Sequence, residues 1–287
     1  MNWFTRRMSV VSHRVSSGLR HTSKLVRRRP KLAAPPATRV SAQDRGHGVL
    51  EVRLLAGERR NVLGRSTIDG IEHLVASRPH GTRVIVITAE PPDFCAGYDL
   101  IEASTSDADS LIAHEDNFRS LRSAPVPIVV ALQGNVIGGG LELALSADIR
   151  IASPETRLAI PAAKIGLTYS EAGIRLVADT FGDSVARAMF LGGREITAEV
   201  ALAMGVVSEL VGREQLRERA VELGTMIASW SQSAAAGNRQ ILDVVAGRID
   251  ADTKALHGAS FDPKGDLASA IAAFVARRQR AAPPAVS

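Results

Sequence analysis

Two short runs, "VIVITA" at 84–89 and "PIVVAL" at 127–132, carry no charge and almost no polarity, and each leads into a glycine-bearing loop. A strand with one face in water alternates polar and apolar side chains. One that is apolar throughout is covered on both faces, as a parallel strand between helical layers is. That constrains the chain to an α/β architecture. The surrounding pattern agrees, because "VLEVRLL" (49–55) alternates Leu50, Val52 and Leu54 against Glu51 and Arg53, as a half-buried strand does. Ser66 or Thr67 is placed to cap a helix whose Ile68, Ile71, Leu74 and Val75 share one face. A polar helical stretch at about 100–122, a helix from Leu141 and a strand "DIRIAS" at 148–153 continue the alternation of strand and helix. From about 182 the pattern turns nearly all helical, with only "VVSELV" (206–211) reading as a strand.

Charge is divided unevenly. The first 43 residues hold eight Arg and two Lys and no acid, so the rest of the chain is acidic by five charges although the whole carries +5. Residues 1–45 therefore read as a basic extension outside the fold, residues 46–210 as an α/β core, and residues 211–287 as a helical C-terminal region. The extension has the composition of a mitochondrial transit peptide or of a basic arm for nucleic acid, or is an upstream addition without a role. The Arg-over-Lys and Ala/Gly/Val bias favours the last, in a bacterial cytoplasm, with the mitochondrial matrix as the alternative. No apolar run reaches the roughly 18 residues of a membrane span. A single cysteine, Cys95, excludes an intrachain disulfide, and seven scattered histidines suggest no metal site.

Chemistry concentrates in two loops, "PPDFCAGYDL" (91–100) and "GNVIGGGLEL" (134–143), each of which puts backbone amides after a buried strand. Amides at a helix start are unsatisfied and sit at the positive end of its dipole, so two converging on one point attract a developing oxyanion. Three consecutive glycines, at 138–140, permit unusual backbone angles and the close approach of a ligand. Glu142 stands inside the following apolar run, where a lone carboxylate is expensive to bury without a task. Neither a phosphate-binding G-x-x-x-x-G-K-[ST] nor a G-x-S-x-G elbow occurs.

"FCAGYDL" followed by "APVPIVVALQGNVIGGGLELALSADIRIAS" strongly resembles the enoyl-CoA hydratase/isomerase (crotonase) superfamily, over about residues 48–280. The resemblance implies a spiral of ββα units with a helical C-terminal trimerisation region, assembled as trimers or hexamers. It further implies an acyl-CoA thioester as substrate, with no permanently bound cofactor and no membrane or nucleic-acid partner. The Ala96 and Gly139 amides would form the oxyanion hole. Ala96, Gly97, Tyr98, Asp99 and Gly139 would line the CoA thioester, and Glu142 would be the first catalytic glutamate.

One departure matters. Where hydratases of this family carry a second glutamate, the segment "LAIPAAKIGLTYSEAG" holds Ala162. Tyr169, Tyr98 and Glu171 are the candidate substitutes. The default expectation is an enoyl-CoA hydratase-like lyase in fatty acid metabolism. A methylmalonyl-CoA-type decarboxylase using Tyr169 is the alternative, and a non-catalytic or RNA-binding protein working through the basic tail is a third reading.

Overall fold

In the computed structural model, residues 39–104, 117–259, 261 and 266–281 are described. The expectations for the basic extension up to residue 38, and for the middle of the 100–122 stretch, lie outside them. Nine strands occur among the described residues: β1 (Val40–Asp44), β2 (Val49–Leu54), β3 (Val84–Ala89), β4 (Ile128–Leu132), β5 (Asn135–Ile137), β6 (Ile149–Ala152), β7 (Arg157–Ala159), β8 (Ile196–Thr197) and β9 (Glu209–Leu210). The first sheet runs β1-β2-β3-β4-β6-β9, all parallel except the antiparallel edge β1. A second, smaller sheet runs β5-β7-β8.

The two apolar runs are β3 and β4, and both faces of each are covered. Ile85 and Ile87 point into a cluster with Ile68, Ile71 and Val75 of helix α1 (Arg65–Ala76) and with Leu50, Val52 and Leu54 of β2. Val84 and Val86 point the other way, with Leu216, Ala220 and Ile227 of a later helix, α8 (Arg213–Ala228). Fully burying each such side chain contributes roughly 1.5–3 kcal/mol, which is why these strands tolerate no polar face. Gly224 lets α8 lie close, since a Cβ there would stand 2.8 Å from Val86 Cγ2.

Between these elements the chain forms α2 (Leu100–Ala103), α3 (Arg119–Arg122), α4 (Gly139–Leu145), α5 (Glu171–Phe181), α6 (Asp183–Gly192) and α7 (Ala198–Ala203). Beyond α8 come α9 (Gln232–Val245), α10 (Thr253–Ala259) and α11 (Asp266–Ala281), the helical C-terminal region expected. None of the described helices is long and apolar enough to cross a membrane.

Three local expectations are corrected. The sheet begins at Val40, because β1 pairs with β2 from Val40↔Leu54 to Asp44↔Leu50, so the last residues assigned to the extension belong to the fold. Helix α1 starts at Arg65 and not behind Ser66 or Thr67; its first amide donates to the Glu102 carboxylate at 3.0 Å. Glu51, expected on the wetter face of β2, is only 1% exposed. Helix α8 covers it and sends Arg217 to both its oxygens at 2.7 Å, while Thr88 Oγ1 donates at 2.6 Å. Burial alone would raise the Glu51 pKa, but Arg217, Thr88 and Arg45 hold it below the ordinary glutamate value.

Candidate functional site

Parallel pairing of β3 with β4 brings their C-terminal ends side by side, and the two glycine-bearing loops emerge there. The loops are zipped together. Cys95 N donates to Asn135 O at 3.1 Å, Ile137 N donates to Cys95 O at 2.9 Å, and the Asp93 carboxylate accepts from the Asn135 backbone and side-chain nitrogens, each at 2.8 Å. On its other side the first loop pairs with residues 60–63. Leu63 N donates to Gly97 O at 2.8 Å and Asp99 N to Leu63 O at 2.9 Å.

This second pairing overturns one assignment. The Ala96 amide donates to Arg60 O at 2.9 Å, so it is spent on the scaffold and does not serve an oxyanion hole. Amides along an extended segment point alternately to opposite sides. Two residues on, the Tyr98 amide has no acceptor among the described residues, and neither does the Gly139 amide at the first position of α4. The loops approach closely here: a Cβ on Gly97 (φ +98°) would stand 2.9 Å from Ile137 O and 3.8 Å from Gly139 N.

Each glycine of the triplet has its own reason. Gly138 adopts φ +55° and ψ −120°, a conformation closed to other residues without strain. A Cβ on Gly139 would meet three ring atoms of Tyr98 at 2.6–2.8 Å, and one on Gly140 would meet Cys95 at 2.7–2.8 Å. The expected room beside Gly139 is therefore filled by the Tyr98 ring. Cys95 is buried, which pushes its thiol up to about 12 and leaves it inert at neutral pH.

Glu142 follows Gly139 by three residues, on the same face of α4. Its Oε2 accepts from the Tyr98 hydroxyl at 2.7 Å, and that hydroxyl accepts from Asn117 Nδ2 at 3.1 Å. Oε1 faces Gly173 of α5, where an added Cβ would stand 3.2 Å away. Burial pushes the Glu142 carboxyl above its ordinary value, against the lowering influence of Tyr98 and the Arg122 charge. The chain has two tyrosines and both come to this carboxylate. Tyr169 packs edge-on against Phe190, with ring centroids 5.2 Å apart, and its hydroxyl lies 3.1 Å from the position of a Gly138 Cβ. Burial, and then the Glu142 charge, raise both phenols, so each stays a neutral donor. Tyr98, Glu142 and Tyr169 together line a cavity of about 1080 Å³, whose wall also includes Leu145, Leu176 and Leu242 of α9.

The remaining candidates divide. Asp99 caps α2 through Ile101 N and Glu102 N and pairs with Arg59 at 2.6 Å, so its carboxylate is committed to the loop. Ala162 is buried in a 3-10 turn and brings no polar group. Glu171 does not turn inward: it pairs with Arg175 one turn on, its side chain 82% exposed at the cavity rim. Residue patterns gave no warning of Asn117, Arg122 or Gly173. Asn117 stands in no motif, and Gly173 ends the "LAIPAAKIGLTYSEAG" segment with nothing in it to show that this position lies against Glu142.

Comparison with known proteins decides the family. The sequence model described as enoyl-CoA hydratase/isomerase matches residues 44–274. The chain belongs to the enoyl-CoA hydratase/isomerase family. It is 35% identical over 170 residues to the "Probable enoyl-CoA hydratase echA6" of Mycobacterium leprae, covering 57% of this chain and 68% of that protein. Over 211 residues it is 31% identical to the mitochondrial enoyl-CoA hydratase domain-containing protein 3 of Rattus norvegicus, covering 70% of this chain and 68% of that one. The solved enoyl-CoA hydratase subunit I of Geobacillus kaustophilus superposes with a TM-score of 0.76 over 83% of this chain and 95% of the other. At 23% identity that likeness establishes the crotonase fold alone. Acyl-CoA processing is the family's business.

Proposed function

We propose that the chain is a CoA-thioester lyase of the enoyl-CoA hydratase type, with Glu142 as its one working carboxylate. The observation carrying this reading is that Glu142 lies on one face of α4 with the unsatisfied Gly139 amide, held by Tyr98 in a cavity wall. The Gly139 and Tyr98 amides would receive the thioester oxygen, and each such donor is worth roughly 2.7–4 kcal/mol in a transition state. Glu142 takes a proton from water as the water oxygen bonds to Cβ, and the C=C electrons move onto the thioester oxygen as an enolate. Collapse of the enolate returns the proton from Glu142 to Cα, so one carboxylate serves in succession where a second is absent at Ala162. Its raised pKa suits both halves, since a base and an acid work best near the operating pH.

The test is the loss of crotonyl-CoA absorbance with purified protein. We expect a slow decrease with the native chain and none with Glu142→Gln. A decarboxylase reading is kept because the second carboxylate is replaced by Ala162 while Tyr169 stands near Glu142. There the Cα–CO₂ bond breaks, its electrons enter the same enolate, and no base is required. CO₂ release from methylmalonyl-CoA that survives Glu142→Gln and is lost with Tyr169→Phe would favour it. Assembly into trimers or hexamers and a bacterial cytoplasmic setting complete the proposal.

A further inference from the structure

Tyr98 does two things at once. Its ring edge lies on Gly139, within 2.6–2.8 Å of a Cβ position, and its hydroxyl donates to Glu142 Oε2 at 2.7 Å. The ring thus spans the face of α4 from the free amide to the carboxylate. Asn117 Nδ2 donates to the Tyr98 oxygen at 3.1 Å, which leaves the phenolic hydrogen directed at Glu142. We infer that Tyr98, oriented by Asn117, is the positioning residue that sets the direction and proton affinity of Glu142. This rests on the proposed reading of Glu142 as the working acid–base.

Glu142 loses water on burial, and a carboxylate held by one charge-assisted hydrogen bond keeps one orientation instead of several. The other charged or titratable groups facing it are few. Arg122 of α3 acts through its charge, and Tyr169, from the loop before α5, lies on the Oε1 side. Arg122 donates to Asn117 O at 2.8 Å, so the cation also braces the relay. Tyr98 is buried and stays protonated across the working range, so the donor does not switch off.

Tyr98→Phe tests the inference, because it removes the hydroxyl and leaves the ring on Gly139. The full-length protein is labelled with 13Cδ-glutamate, and the Glu142 signal is identified by its loss in Glu142→Gln. A hydrogen bond to a charged group corresponds to about 10–100-fold in proton affinity, so Glu142 should titrate roughly one to two pH units higher in Tyr98→Phe. A second measurement keeps the Tyr98 hydroxyl in place. Growth of Tyr169→Phe on 3-fluorotyrosine leaves Tyr98 as the one, more acidic, phenol, and against Tyr169→Phe grown on ordinary tyrosine the Glu142 titration should move the opposite way. An unchanged titration in either sample, or a downward move in Tyr98→Phe, overturns the inference. None of this uses substrate, so a chain inert toward acyl-CoA but showing both shifts would refute the lyase reading and leave the positioning role intact. In an active enzyme the acid limb of kcat should move upward with the titration, with KM nearly unchanged.

Discussion

Substituting Gly139 by alanine tests the claim that this glycine exists to seat the Tyr98 ring. The backbone accepts the change, since Gly139 is not among the residues with positive φ and begins a helix. Helix propensity even favours alanine, by up to about 1 kcal/mol. Against that, the new Cβ would meet Tyr98 Cε2 at 2.6 Å, Cζ at 2.7 Å and Cδ2 at 2.8 Å, where ordinary contact begins at 3.4 Å. The ring must retreat by most of an ångström or bear the overlap. Retreat breaks the 2.7 Å bond to Glu142, a loss of roughly 1.5–3 kcal/mol; staying put costs roughly 1–3 kcal/mol in overpacking. These are alternatives and do not add, so the net destabilisation is about 1–2 kcal/mol, a fall in Tm of roughly 2–8 °C. Thermal unfolding by circular dichroism at fixed protein concentration measures it. A double-mutant cycle with Tyr98→Ala supplies the decision: without the ring, Gly139→Ala should be neutral or stabilising. An equal cost in both backgrounds would refute the reasoning.

Two further outcomes are expected. Arg217→Met leaves Glu51 buried without its bidentate partner, and should destabilise toward the lower end of roughly 3–5 kcal/mol because Arg217 itself is partly exposed. Since the Glu51 pKa is lowered in the folded state, the native chain loses stability as pH falls through that value, and the variant should show a flatter acid limb in urea unfolding. Glu142→Gln should act in the reverse sense. The folded carboxyl is raised, so the native chain loses stability as pH rises from the unfolded pKa toward the folded one. The variant should match it in acid and unfold at a higher temperature at neutral pH, while losing activity.

The large features were legible because they follow from what a strand or helix must bury. Ile85 and Ile87 against Val84 and Val86 announce two covered faces, and the Ile68, Ile71, Val75 spacing announces the helix that covers one of them. What escaped depends on partners distant in the chain. Strands β5, β7 and β8 are two or three residues long, too short to show a period, and exist because the sheet completes them. Glu51 looked solvent-facing because nothing local reveals that Arg217, 166 positions later, will lie over it. The Ala96 amide was expected to be free and is not, because the motif marks the loop but not which amides its neighbour at Arg60 consumes. Tyr98 and Glu142, 44 positions apart, meet through the loop zipper, and that meeting leaves no local trace in either segment.

The most direct measurement is a crystal structure of the protein with a non-hydratable acyl-CoA analogue. It should place the thioester oxygen within hydrogen-bond distance of both Gly139 N and Tyr98 N, with acyl Cα and Cβ facing the Glu142 carboxylate. A thioester oxygen bound elsewhere, with those two amides still unengaged, would contradict it.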